Sequence, residues 1–134
     1  NMTRFYISLT EGVEMVLIAL RESLGGEMFV PKMPSYRITD LANAIDPKCK
    51  QVITGIRPGE KIHEDMITQS DSQYTYDFGN YFVVFPTSKE YIEKYINAGR
   101  SLHKVEQNFS YNSEKNSKFL TVDEIRYLIK TNLN

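Results

Sequence analysis

Val13, Val16, Leu17 and Leu20 recur three and four residues apart, the spacing of one helix face. Thr10 reads as the N-cap of that helix, with Glu11 and Glu14 near its positive end and Gly25-Gly26 after its last turn. Leu41, Ala42 and Ile45 share a face of a second helix over 39–45, stopped by Asp46-Pro47. Period-two and β-branched stretches predict short strands at 3–7, 27–31 and 51–55. Tyr74–Phe78 and Tyr81–Phe85 flank Gly79-Asn80, a two-residue hairpin turn. A short helix is expected over 62–67 and another over 90–98. Residues 108–117, rich in Asn and Ser, read as a loop or arm. Thr121 followed by Glu124 forms a capping box for a last helix, with Ile125, Leu128 and Ile129 on its apolar side.

The expected fold class is therefore α/β of the mixed α+β kind: short strands with packed helices and no doubly wound sheet. Two parts are expected, 2–86 as a binding domain and 87–134 as a helical tail or arm.

Composition narrows the functions. Sixteen basic residues against 17 acidic ones give a net charge of −1, so no basic field draws the chain to nucleic acid. Any anion site must be local, built from a few arginines. Met15–Leu20 is the longest apolar run, far short of the roughly 20 residues of a membrane helix. Cys49 is the only cysteine, which excludes an internal disulfide and fits a cytoplasmic location. Asn1 precedes Met2 and carries no part of the reading.

The strongest local motif is Gly55-Ile56-Arg57-Pro58-Gly59-Glu60-Lys61. Pro58 presets one backbone angle and Gly59 permits a positive φ, so the turn is stiff. It holds Arg57 and Glu60 at a fixed separation. A guanidinium fork matches phosphate oxygens, and a nearby carboxylate accepts from sugar hydroxyls. Arg4, in the first strand, would complete a two-arginine clamp on a diphosphate. The competing reading is an ordinary turn with a surface ion pair worth ~0–1 kcal/mol.

Other matches fail. Tyr111-Asn112-Ser113-Glu114-Lys115 has the Tyr-x-x-x-Lys spacing of a dehydrogenase pair, but lies in a stretch of poor helix propensity, and the chain contains no glycine fingerprint for a dinucleotide. His63-Glu64 opens like a zinc helix without the second histidine. With Cys49 and two histidines, no metal site is expected.

Met2-Thr3-Arg4-Phe5, the run from Gly25-Gly26-Glu27 to Met33-Pro34, and the run from Gly55 to Glu64 occur in this order. Together they resemble the C-terminal part of bacterial UDP-N-acetylglucosamine 4,6-dehydratases, in the extended short-chain dehydrogenase/reductase superfamily. Phe109–Ser113 and Phe119–Val122 resemble the tail of the capsule-biosynthesis branch. The resemblance implies a polysaccharide-sugar enzyme that binds NADP in an N-terminal Rossmann domain. Such an enzyme oxidises C4 transiently, removes water across C5 and C6, and in many cases inverts C5. It implies that Arg57 and Arg4 grip the UDP diphosphate and that Glu60 contacts the ribose hydroxyls.

The Rossmann half and its catalytic residues are absent from this sequence. The chain alone is expected to be inactive, with no catalytic residue and no cofactor of its own. It would be a truncated, proteolysed or gene-split remnant that leaves apolar surface where the Rossmann domain docks. Homo-oligomerisation is expected. The alternatives are a stand-alone UDP-sugar-binding module and an assembly module acting through the tail.

Overall fold

Residues 1–132 are described by a computed structural model. The strands are β1 (Thr3–Phe5), β2 (Met28–Pro31), β3 (Ser35–Arg37), β4 (Asp65–Ile67), β5 (Thr75–Asp77), β6 (Tyr81–Val84), β7 (His103–Lys104) and β8 (Tyr111–Asn112). The helices are α1 (Leu9–Glu22), α2 (Ile38–Ile45), α3 (Lys89–Asn97) and α4 (Val122–Asn132), with a 3-10 helix at Gln69–Tyr74. This is the expected mixture of helices and short strands; β1–β3, β2–β6, β5–β6 and β5–β7 pair antiparallel, and Ser35 bridges Phe119 in parallel.

Packing divides the chain into two compact units. The first takes residues 1–8, 33–65 and those from 112 onward; the second takes 9–32 and 66–111. The expected parts 2–86 and 87–134 follow sequence motifs, whereas these units interleave along the chain.

In the first unit β1 pairs with β3, placing Thr3 opposite Arg37 and Phe5 opposite Ser35. Ser35 is fully buried; its N–H donates to Lys118 O at 2.8 Å and its carbonyl accepts from Leu120 N–H at 2.7 Å. The ladder thus gains a third edge from 118–120. Beside it α2 meets α4 over Ala44, Leu120 and Ile125, flanked by Tyr6, Tyr36, Leu41, Leu128 and Ile129. The capping box that starts α4 is present: Glu124 Oε2 accepts from Thr121 N–H at 2.7 Å and Glu124 N–H donates to Thr121 Oγ1 at 3.3 Å. The Thr121 N–H, together with the Thr121 hydroxyl that donates to the same oxygen at 2.8 Å, holds the Glu124 carboxyl below its ordinary value.

The second unit is a four-stranded sheet in the order β2-β6-β5-β7. Phe82 and Val83 point to opposite faces of β6 and are 6% and 0% exposed, so both faces are covered. Val83, Phe85 and Tyr95 form one core, with Phe29, Tyr76, Phe78, Tyr91 and Leu102 around it. On the other face Phe82 packs on Phe109 and Tyr111. The hairpin turn falls at Gly79-Asn80 as expected, with Gly79 at φ 84° and Phe78 N–H donating to Tyr81 O at 2.9 Å. Tyr95 OH donates to Glu27 Oε1 at 2.5 Å, while Glu27 Oε2 is buried without a partner. Burial pushes the Glu27 carboxyl up, but donors from Tyr95 and the backbone outweigh it and leave the carboxyl below the usual value.

Helix α1 buries no residue. Leu9, Val13, Val16, Leu17 and Leu20 are each more than half exposed, and Met28 on β2 is 58% exposed.

Several local expectations are corrected. Thr10 lies inside α1, which starts at Leu9. Residues 51–55 are not a strand: they are exposed and have no neighbour to pair with, and β-branched side chains alone do not hold an isolated strand. Residues 62–67 are not helical: 62–63 bend and 65–67 form β4. Ile62 O accepts from Thr3 N–H at 3.0 Å and Glu64 O accepts from Ser113 N–H at 2.8 Å, so long-range partners take the carbonyls a helix would have used. The strand β3 was not anticipated, because three residues after Pro34 carry too little periodicity.

Candidate substrate-binding site

Arg57 to Glu60 form a tight turn. Glu60 N–H donates to Arg57 O at 3.0 Å, and Gly59, the third residue, has φ 81°. Proline second and a positive-φ glycine third are the signature of a type II turn. The Glu60 side chain closes the ring from the other side, its Oε2 accepting from Arg57 N–H at 3.1 Å. The stiffness read from Pro58-Gly59 is therefore reinforced by a side-chain lock. Arg57 is exposed, and among the described residues its guanidinium makes no hydrogen bond or ion pair. The turn presents a bare cation to solvent.

Arg4 sits on the inner side of the same segment. Its Nη1 donates to Thr3 O at 2.7 Å and to Ile62 O at 3.1 Å, and its Nη2 to Lys61 O at 2.9 Å. Glu64 Oε1 lies 3.4 Å from its Nε, and Glu60 Oε1 lies 4.0 Å from Nη2. Glu60 thus touches both arginine residues, one through a backbone N–H and the other through charge. The three sequence-derived residues Arg4, Arg57 and Glu60 belong to one network in one unit. Within it Arg4 is committed to carbonyls, and Arg57 is the free guanidinium.

A second set of residues holds the turn from below. Thr3 Oγ1 lies 2.8 Å from His63 Nδ1 and 2.7 Å from Ser113 Oγ. Ser113 Oγ accepts from Glu64 N–H at 2.9 Å. His63 Nε2 is 3.4 Å from Glu114 Oε1. Thr3 and Ser113 are 4% and 0% exposed. Sequence reasoning gave none of the three a role in the site: they appeared within matched motifs, His63 also in a failed metal pattern and Ser113 in a polar arm. The available signal was the β-leaning Thr3 beside Arg4; nothing in the sequence joined it to a residue 110 positions away.

The rejected motifs contribute to this network in other ways: His63 and Glu64 belong to it, as do Ser113 and Glu114 of the Tyr-x-x-x-Lys stretch. Tyr111 lies in β8 with Lys115 in the turn after it, so the pair has no helical geometry. Cys49 is exposed, 3.7 Å from Ala42 O. Among the described residues no group of three His, Cys, Asp or Glu side chains is placed to hold a metal ion. No described helix is long and apolar enough to cross a membrane. A cavity of about 300 Å³ opens in the first unit between Tyr6, Tyr36, Leu41, Leu128, Ile129 and Asn132, and none of Arg4, Arg57 or Glu60 lines it.

Chemically, the turn can bind an anion through one stiffly mounted guanidinium, with carboxylates close by. The chain as a whole is similar to known proteins. A family model described as polysaccharide biosynthesis protein matches residues 1–86. The UDP-N-acetylglucosamine 4,6-dehydratase (inverting) of Campylobacter jejuni is 45% identical in an alignment that covers 96% of this chain and 40% of that protein. The UDP-glucose 4-epimerase of Rickettsia akari is 28% identical, over 98% of this chain and 39% of its own length. The crystal structure of Pen from Bacillus thuringiensis superposes with a TM-score of 0.76 at 23% identity, over 98% of this chain and 38% of that one. The chain spans about 40% of the length of the curated relatives it matches, and in the dehydratase the matching stretch is the C-terminal part.

Proposed function

The chain belongs to the family of polysaccharide biosynthesis proteins, and from that premise we propose that it is the substrate-binding C-terminal part of a UDP-N-acetylglucosamine 4,6-dehydratase of the inverting type. The observation that carries the proposal is the unpaired Arg57 guanidinium on a locked turn. Charge-assisted hydrogen bonds from that fork to the diphosphate of UDP hold the nucleotide. Binding energy gained there, away from the reacting carbons, orients the hexose for dehydration. Glu60, already oriented by the Arg57 N–H, has its remaining lone pairs for ribose hydroxyls.

The reaction itself needs the rest of the parent enzyme. No glycine-rich turn suited to a dinucleotide occurs in this sequence, so NADP is assigned to an N-terminal domain and not to these residues. The apolar face of α1 supports such a partner. Five large aliphatic side chains, from Leu9 to Leu20, stand exposed on a helix that buries nothing. A contiguous stripe of this kind marks a surface meant to be covered. The three-fifths of the relatives' length that precedes the matching stretch is the cover we assign to it. A role in capsule or related glycan synthesis, a cytoplasmic setting and self-association belong to the same proposal.

The test uses the chain joined to its N-terminal domain. Arg57→Ala is expected to weaken UDP binding by about 10- to 100-fold, the equivalent of losing one charge-assisted contact of ~1.5–3 kcal/mol. Unchanged UDP affinity refutes the assignment. The exposed state of Arg57 also favours a second reading, in which the chain binds UDP-sugars without a partner. Calorimetry of the 134-residue chain with UDP-N-acetylglucosamine separates them: tight binding supports the stand-alone module.

A further inference from the structure

We infer that Ser113 is a positioning residue for the Arg57 turn, so that the polypeptide beyond the family-matched 1–86 completes the anion site. For its second readout this inference rests on the proposed grip of UDP; its first readout does not.

The segment carrying Arg57 is tethered on one side only. Among the described residues none of 52–56 makes a hydrogen bond, and Ile53 is 98% exposed. The chain therefore arrives at Arg57 unsupported. All restraint comes from the downstream side, residues 60–64. There Ser113 grips Glu64 twice: its N–H donates to Glu64 O at 2.8 Å, and its Oγ accepts from Glu64 N–H at 2.9 Å. The same Oγ lies 2.7 Å from Thr3 Oγ1, and Thr3 N–H donates to Ile62 O at 3.0 Å.

From Glu64 the restraint passes upward. Glu64 Oε1 is 3.4 Å from Arg4 Nε, and the Arg4 fork binds the carbonyls of Lys61 and Ile62. Glu60, next in line, locks the Arg57 N–H. Polar contacts therefore run from a fully buried serine to the exposed guanidinium, by way of Glu64, Arg4 and Glu60.

Full burial makes the serine exacting. Its hydroxyl hydrogen has Thr3 Oγ1 or, at 3.3 Å, Thr3 O as acceptor, and its oxygen receives the Glu64 amide. Removing the hydroxyl leaves a Glu64 N–H without its acceptor and Thr3 Oγ1 with His63 Nδ1 as its remaining partner, and an unpaired polar group in a water-poor place favours rearrangement. That rearrangement falls on the one segment whose other end is free.

The experiment compares Ser113→Ala with the parent chain by amide hydrogen exchange. Exchange at residues 57–64 is expected to accelerate at least tenfold, while Phe82 and Val83 in β6 keep their parent rates. No acceleration at 57–64 overturns the inference, and so does an equal acceleration at β6, which would make Ser113 a stabiliser of the whole chain. Because Ser113→Ala could fail to fold, Thr3→Val and Thr3→Ser form a second pair of similar shape. Val should loosen 57–64 and Ser should restore them; if both behave alike, the hydroxyl link is not what positions the turn. In the chain joined to its N-terminal domain, Ser113→Ala should also weaken UDP binding at least fivefold. A parent that does not bind UDP at all refutes the proposed function and leaves the exchange result to decide this inference.

Discussion

Arg4 offers the sharpest way to separate a ligand from a clamp. In the first role its guanidinium would leave the loop to meet a diphosphate; in the second it acts through the loop. Replacing it by lysine keeps the charge and removes the fork. A single ammonium cannot serve the carbonyls of Thr3, Lys61 and Ile62 together, so at least one of three bonds, at 2.7, 2.9 and 3.1 Å, is lost. Hydrogen bonds to charged groups contribute roughly 1.5–3 kcal/mol when shielded, and less where the orphaned carbonyl regains water, as at Lys61. The neighbouring carboxylates are partly exposed and add ~0–1 kcal/mol. Arg4→Lys should therefore lower stability by about 1–1.5 kcal/mol and Arg4→Ala by about 2–3 kcal/mol. Urea unfolding of the 134-residue chain, followed by circular dichroism, measures both. Calorimetry with UDP on the chain joined to its N-terminal domain supplies the other axis. A clamp loses stability and affinity together. If Arg4→Lys keeps its stability within about 0.5 kcal/mol while UDP affinity drops 100-fold, the side chain reaches the ligand itself and the clamp reasoning fails.

Two further perturbations test the surrounding fold. Tyr95→Phe removes the hydroxyl that donates to Glu27, whose other oxygen is already buried and unpartnered; stability at pH 7 should fall by about 1–3 kcal/mol in urea titration. The folded Glu27 carboxyl titrates below its ordinary 4.5, so its contribution is complete above that pH and disappears as the pH falls through the lower, folded value. In Tyr95→Phe this acid-side slope should flatten, and a slope as steep as the parent's would show that Tyr95 is not its source. Gly26→Ala and Gly59→Ala both force an alanine to positive φ, at 85° and 81°. A Cβ at Gly26 would sit 3.1 Å from Tyr91 Cε1 and 3.2 Å from Pro86 Cγ, whereas one at Gly59 meets nothing within 4 Å. Thermal melts should show about 1 kcal/mol lost at Gly59 and at least twice that at Gly26; equal losses would mean that crowding contributes nothing.

What could be read from the sequence was local. Gly79-Asn80, Thr121 with Glu124, and Pro58-Gly59 each encode their geometry within four residues, and each forms as read. The same holds for α1, whose periodic face is present although nothing described covers it. What escaped was decided at a distance. Val52, Ile53 and Thr54 have strand propensity but no partner, so propensity had nothing to act on. Residues 62–64 look helical by pattern, yet Thr3 and Ser113 take their backbone groups from either side and no helix forms. The site divides in the same way. Arg57 and Glu60 were legible because one turn sets both. The commitment of Arg4 to backbone carbonyls, and the buried hydroxyls of Thr3 and Ser113, required sequence separations of 57 to 110 residues to be closed first.

The interleaving of the two units has a consequence for synthesis. The polypeptide passes between them at 8/9, 32/33, 65/66 and 111/112. A nascent chain that has emerged as far as Pro86 still lacks α3, which supplies Tyr95 to one core, and α4, which supplies Ile125 to the other. Neither unit can close at that point, although the apolar stripe of α1 has already emerged. Chaperone demand and aggregation risk should therefore stay high from the emergence of α1 until α4 follows it.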